Sequence, residues 1–280
     1  MPPRATWVWL VEAALAEDIG PGDATSEALI PAGQAGEARV EVREPAILAG
    51  MELAREVFAR NDVAWEPSRM DGARAEAGLV IAVVRGSAQG ILAAERTALN
   101  FLQRLSGIAT LTGRFCEAVS GARATIVDTR KTTPGWRTLE KFAVRCGGGI
   151  NHRMGLYDAI LIKDNHIRTV GSVADAVKRA RARNPSGLRV QVEVESLREA
   201  REAIDAGADA LLLDNRTPPE ISEIVTFVEG RVPLEASGGI TLANVANVAQ
   251  TGVDRISVGA LTHSAPAVDI SLEWNAPSTS

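Results

Sequence analysis

The second half of the sequence repeats one pattern: a short apolar run, a polar residue at its end, then a helical stretch. From residue 124 the runs are ATIV before Asp128, AILI before Lys163, VQVEV before Glu195, ALLL before Asp214, PLEA before Ser237 and RISV before Gly259. SVADAVKRARAR, SLREAREAIDAG, PPEISEIVTFVEG and TLANVANVAQTG separate the later ones. Short strands alternating with helices of this length predict βα units on a parallel sheet. Several of the helical stretches close on Gly, as a left-handed C-cap favours. Six strands in under 140 residues are few for a closed eight-stranded barrel, which takes about 250 residues. The expectation is an open, incomplete barrel.

The first part of the chain reads differently. Residues 1–20 place Trp7, Leu10, Val11, Ala14 and Leu15 on one helical face. Residues 37–90 mix the alternating runs EARVEV and LVIAVV with a helical MELAREVFARN, which predicts a small α+β unit on an antiparallel sheet. ILAAERTALNFLQRLSG and ATLTGRFCEAVSG read as two helical stretches that bridge to the second domain. Aromatic residues make up 4% of the chain, so Ala, Val, Ile and Leu must build the core. A formal net charge of −5 argues against the broad basic face of a nonspecific nucleic-acid binder. Two cysteines, Cys116 and Cys146, make no disulfide framework, and a reducing, cytoplasmic setting is expected. The N-terminus lacks a signal-peptide core, and no run of 18 apolar residues predicts a membrane span.

Polar residues recur at one place, just after the apolar runs, where βα barrels carry their chemistry. The densest segment lies between Thr129 and His166, where seven cations face three acids, a local net charge of +4. Arg130, Lys131 and Lys163 directly follow strands and point to a pocket for a polyanionic small molecule. Arg137, Lys141 and Arg145 read as charges on a helix surface. Gly147, Gly148 and Gly149 read as a flexible loop leading to His152 and Arg153. Ser237-Gly238-Gly239 and the turn at Gly259 end consecutive strands, and glycines there let backbone N–H groups approach a phosphate. Glu193 and Asp214 end neighbouring strands and suit Mg²⁺ or sugar hydroxyls; Glu195 shares the parity of Glu193, and spacing does not separate the two. No cluster of zinc-ligand spacing occurs, and both cysteines read as small packing residues.

Eight segments together resemble the quinolinate phosphoribosyltransferase family. They are EDIGPGDATS (17–26), AERTALNFLQRLSGIAT (94–110), DTRKTTPG (128–135), EKFAVRCGGGINHRMGLYDAILIKDNHI (140–167), VEVES (192–196), LLLDN (211–215), LEASGGI (234–240) and ISVGALTHSAPAVDISL (256–272). The resemblance implies an N-terminal α+β sandwich, residues 1–110 joined by the C-terminal tail 265–280, followed by an open TIM-like barrel, 111–264. It implies transfer of phosphoribose from phosphoribosyl pyrophosphate to quinolinate with decarboxylation, a requirement for Mg²⁺, and a homodimer with shared active sites. By motif, Arg130, His152, Arg153 and Lys163 would hold the quinolinate carboxylates, with Arg96 reaching in from the partner subunit. Lys131, together with Lys163, would meet the pyrophosphate. Glu193, preferred over Glu195, and Asp214 would face the ribose and Mg²⁺. Ser237, Gly238 and Gly259, with His263, would bind the 5′-phosphate. The alternative is a paralogous protein of molybdate transport operons with the same fold and another substrate. The full Arg/His/Arg/Lys set argues against that alternative.

Overall fold

The computed structural model describes residues 1–274 of the chain. The last six residues of the tail expected at 265–280 lie outside the described residues. The chain divides into two compact units, one from Met1–Gly113, Thr132–Gly148 and the residues from Ser264 on, the other from Arg114–Lys131 and Gly149–His263.

The first unit begins with α1 (Val8–Ile19) and α2 (Ala24–Leu29). Asp23 caps α2, its carboxylate accepting from the Thr25 and Ser26 N–H groups at 3.1 Å. Then follow β1 (Ala35–Val42), β2 (Ala46–Ile47), α3 (Met51–Ala59), β3 (Ala64–Pro67), β4 (Arg74–Ala75) and β5 (Val80–Ser87). The predicted alternation of β1 is realised, with Ala38, Val40 and Val42 buried. β1 pairs antiparallel with β5 on one side and with the last strand, Ile270–Trp274, on the other.

One helix, α4 (Ala88–Ala118), runs where the sequence reads as two. Gly107 is where the sequence pattern breaks. It is not a helix end; a Cβ there would lie 2.0 Å from the Pro266 carbonyl oxygen, so glycine serves a close approach of backbone. A second difference concerns residues 132–148, which belong to the first unit and interrupt the barrel expected over 111–264. They carry α5 (Arg137–Cys146). Trp136 stacks on Phe101 with ring centroids 5.0 Å apart. Glu140 is fully buried and accepts from Arg104 at 3.1 Å and from Thr133 N–H and Oγ1 at 3.1 and 2.8 Å. Lys141 is 1% exposed, so it is not the surface charge expected of it. Gly147, the first of the three glycines after α5, is packed closely: a Cβ on it would meet the Ala109 carbonyl oxygen at 2.3 Å.

The second unit is the predicted open βα barrel. Its elements are β6 (Thr125–Val127), β7 (Ile160–Ile162), α6 (Asp164–Val170), α7 (Val173–Ala182), β8 (Val190–Val194), α8 (Leu197–Asp205), β9 (Ala210–Asp214), α9 (Pro218–Val228), β10 (Leu234–Ser237), α10 (Val245–Ala249), β11 (Arg255–Ser257) and α11 (Ala260–His263). The strands form one parallel sheet in the order β6-β11-β10-β9-β8-β7. Ile150 makes an isolated parallel bridge to Val127, and among the described residues no ladder joins Ile150 to β7. The barrel is open at that place. One parity of side chains (Val190, Val192, Val194, Leu211, Leu213) is fully buried. Such burial stabilises by about 1.5–3 kcal/mol per side chain. The other parity carries polar groups in register: Glu193 pairs with Leu212, Leu212 with Glu235, and Asp214 with Ser237. The final strand, β12 (Ile270–Trp274), returns to the first unit.

Candidate active site

A cavity of about 640 Å³ lies in the second unit, bordered by the residues that follow its strands. Arg130, Lys131, His152, Arg153 and Lys163 contribute its cationic lining. Asp214, Ser237, Gly238, Gly259 and His263 line it as well. Ten residues singled out from sequence are therefore brought to one place by a fold that separates them by up to 133 positions.

The basic side is built from buried anchors. Asp128, fully buried at the end of β6, accepts from Asn151 Nδ2 at 2.5 Å and from the His152 backbone N–H at 2.9 Å. His152 Nδ1 in turn accepts from the Arg153 N–H at 2.7 Å. Arg153 Nη1 donates to the Ala159 carbonyl at 3.1 Å. Asp158 closes the turn, accepting from Met154 N–H at 2.6 Å and Gly155 N–H at 3.0 Å. Burial pushes the Asp158 carboxyl up, but these N–H groups outweigh it and leave it below its usual range. Burial, and then the neighbouring Arg130 charge, pull the Arg153 guanidinium below its usual value. Two guanidiniums lining one cavity make a site for an anion, above all one with more than one carboxylate.

Across the cavity, Lys163 Nζ donates to Glu193 Oε2 at 2.9 Å. Structure separates the two glutamates that spacing could not. The Glu193 side chain is 10% exposed and paired with Lys163, whereas Glu195 is exposed and offers its backbone N–H to Glu199. Asp214 ends β9, and Asn215 follows in the left-handed region at φ 53°, which Asn tolerates better than most residues. Asn215 Nδ2 donates to Asp214 Oδ2 at 2.6 Å, and its backbone N–H donates to the Ser237 carbonyl at 2.8 Å.

The glycines hold the third side. Gly238 has φ 87°, and a Cβ on it would lie 2.2 Å from Asn215 Oδ1. A Cβ on Gly259 would press on His263 Nε2 at 3.1 Å and on Lys131 Cδ at 3.2 Å. Glycine thus keeps space and backbone N–H groups open beside Lys131 and His263, as phosphate binding requires. Lys131 is steadied by its own backbone, its N–H donating to Thr129 Oγ1 at 3.0 Å and its carbonyl accepting from Thr262 Oγ1 at 2.7 Å.

Two predicted residues do not line the cavity. Glu193 is joined to it through Lys163. Arg96 is exposed on α4 in the first unit. Sequence reading missed Glu235, which lines the cavity at 2% exposure. A charged residue between Leu234 and Ala236 in a buried strand was the available signal. Neither cysteine serves as a nucleophile here: burial raises both thiols, Cys146 to about 12. Among the described residues no group of three or more His, Cys, Asp or Glu gathers as a metal site, and no helix is long and apolar enough to cross a membrane.

An open parallel βα barrel with cations, carboxylates and glycine turns at its strand ends defines an enzyme of phosphorylated, polyanionic small molecules. Comparison with known proteins narrows the class. Residues 108–273 match the model of the quinolinate phosphoribosyl transferase C-terminal domain, and residues 23–106 that of its N-terminal domain. The probable carboxylating nicotinate-nucleotide pyrophosphorylase of Bacillus subtilis is 44% identical over 259 residues, 92% of this chain and 89% of that protein. The carboxylating nicotinate-nucleotide pyrophosphorylase of Mycobacterium leprae is 44% identical over 271 residues, covering 94% and 95%. The solved structure of the nicotinate-nucleotide pyrophosphorylase from Francisella tularensis superposes with a TM-score of 0.95 at 42% identity, covering 98% of each chain. This chain belongs to the quinolinate phosphoribosyltransferase family.

Proposed function

We infer that this chain transfers phosphoribose from phosphoribosyl pyrophosphate to quinolinate and releases CO₂, giving nicotinate mononucleotide and pyrophosphate in NAD biosynthesis. The observation that carries this reading is the Arg130–Arg153 pair, two like charges beside one cavity in a chain whose relatives bear the carboxylating name. Arg130, His152, Arg153 and Lys163 hold the two carboxylates. Lys131 and Lys163 meet the pyrophosphate. Glu193 and Asp214 face the ribose hydroxyls. Ser237, Gly238, Gly259 and His263 take the 5′-phosphate.

The pyridine nitrogen enters the anomeric carbon from the face opposite the departing pyrophosphate. Its lone pair forms the new C–N bond as the C–O bond breaks. The lysines stabilise the leaving charge from fixed positions, which needs no protein nucleophile. The ribosylated ring is a pyridinium. When the carboxylate beside the nitrogen leaves as CO₂, the electron pair stays on the ring carbon, where the adjacent positive nitrogen stabilises it until a proton replaces it.

Two hard carboxylates, Glu193 and Asp214, suit Mg²⁺, which is usually held by one or two carboxylates together with substrate phosphates and waters. When bound, Mg²⁺ would neutralise charge on the pyrophosphate. Arg96 is exposed and is not among the residues lining the cavity, which supports a homodimer in which Arg96 serves the partner's site. Two free thiols support a reducing, cytoplasmic setting. The molybdate-associated alternative has no observation in its favour.

The test is nicotinate mononucleotide formation from quinolinate and phosphoribosyl pyrophosphate, with and without Mg²⁺. Arg130→Ala is expected to reduce turnover by about a hundredfold or more while far-UV circular dichroism stays unchanged. Near-normal turnover in that variant overturns the assignment of the carboxylate site.

A further inference from the structure

Glu235 is the charged group in the cavity that the roles above leave unexplained. It lies on β10, two residues before Ser237, and is 2% exposed. Its Oε2 accepts from Gln191 Nε2 at 3.1 Å. Gln191 itself is buried, and Ala210 is its neighbour in register on the intervening strand β9, a side chain small enough to let the amide reach across. Glu235 Oε1 is buried without a hydrogen-bond partner. Leaving a buried carboxylate oxygen unpaired is unfavourable, and an apolar residue of the same size would avoid it. A negative charge also opposes the binding of an anion. Its presence among cations therefore calls for a specific role.

The geometry supplies one. Glu235 Oε1 is 3.6 Å from His152 Nε2. The other ring nitrogen, Nδ1, accepts from the Arg153 N–H at 2.7 Å, so it carries a lone pair and not a proton. In the neutral ring the proton is then on Nε2, the atom that faces the carboxylate. The order of contacts runs from Gln191 to Glu235, to the His152 ring, to the Arg153 backbone, and so to the Arg153 guanidinium. A separation of 3.6 Å is longer than a hydrogen bond, and contacts of this kind often tighten when the substrate is bound.

We propose that Glu235 is a positioning residue: it holds His152 as the Nε2–H tautomer, closes on it when the cavity fills, and through it fixes Arg153 against the acceptor dicarboxylate. The proposal rests on the phosphoribosyl-transfer reading above, and it changes the part played by His152. With Nδ1 taken by Arg153 and Nε2 turned to Glu235, the ring acts by placing its neighbour.

The chain has three histidines, so ¹⁵N spectra of histidine-labelled protein are simple to assign with His166→Gln and His263→Gln. The wild type is expected to show His152 as Nε2–H, with the Nε2 resonance moving further downfield on addition of quinolinate. Glu235→Gln places an amide where the carboxylate was, and its N–H₂ can donate to Nε2 and favour the opposite tautomer. That variant is expected to lose the Nε2–H signature and to raise the KM for quinolinate about tenfold, with the KM for phosphoribosyl pyrophosphate within about twofold of wild type. An Nδ1–H ring in the wild type overturns the proposal whatever the variant does. So does a Glu235→Gln protein that keeps the tautomer and the quinolinate KM, or one in which both KM values rise together with a lowered Tm. If that variant does not fold, the wild-type titration decides, and an Nε2 resonance unmoved by quinolinate counts against the proposal. A wild type that binds quinolinate with the expected shift but forms no nicotinate mononucleotide removes the function reading and leaves the positioning role standing.

Discussion

Gly238 shows how much of the site depends on single side chains, including absent ones. At φ 87°, with Asn215 Oδ1 2.2 Å from where a Cβ would go, alanine is excluded by both backbone and space. Gly238→Ala is expected to displace the turn and raise the KM for phosphoribosyl pyrophosphate about tenfold or more, while the quinolinate KM changes less; initial-rate kinetics would show it. Glu56 is a second residue with a measurable consequence. Hydrogen bonds from Arg4, opposed by burial and aided by Arg60, hold its carboxyl down at about 2 from an ordinary 4.5. A carboxylate with a depressed folded-state pKa stabilises fully above about 4.5, and that contribution is lost as the pH falls toward 2. Glu56→Gln is expected to lose about 1–3 kcal/mol at neutral pH. Thermal melts of the two proteins should converge in acid. At this scale the sequence announced the residues that follow strands, because position alone marks them. It concealed Gln191 and Glu235. They act from inside the sheet, and nothing in a one-dimensional string shows which polar residue will face another across two strands.

The strands and helices were the more legible level. The six apolar runs are the six barrel strands, because one parity of each is buried and must be apolar, whatever polar groups the other parity carries. Glycine was where the reading erred, since the same residue ends helices and admits close neighbours. Gly107 gives the clearest test. In an ordinary helix Gly→Ala stabilises by about 0.5–1 kcal/mol. Gly107→Ala is expected to do the opposite, lowering the denaturation midpoint, because its Cβ would collide with the Pro266 carbonyl oxygen. Gly147 differs from expectation for the same reason, since its close approach to α4 arises only on folding. Residues 132–148 escaped the barrel because Trp136 and Glu140 found partners in Phe101 and Arg104, far back in the chain.

At the scale of the whole molecule, the net charge of −5 conceals a separation of charge. Arg130, Lys131, Arg153 and Lys163 are collected at one cavity, while acids such as Glu195 and Glu229 sit exposed elsewhere. The proposed dimer makes a test that no single chain can pass. Arg96→Ala and Lys131→Ala proteins should each be nearly inactive. Unfolded together and refolded as a mixture, they should recover roughly a quarter of wild-type activity, because about half of randomly assorted dimers are mixed and each holds one complete site. Activity no higher than the sum of the parts would place Arg96 in its own subunit's site or in none.

The strand order also bears on how the chain comes to be folded. β6, the first strand of the barrel, pairs with β11, the last, and β1 pairs with β12. Neither sheet can be completed from neighbouring segments. A ribosome emitting this chain would have released nearly all of it before Thr125 could meet Arg255, and β1 would wait with one edge unpaired until residues 270–274 emerged. Such distant pairing implies slow closure and a long interval in which bare strand edges are open to the wrong partners. The last five described residues, which take no part in the chemistry, thus decide when the protein stops being an intermediate.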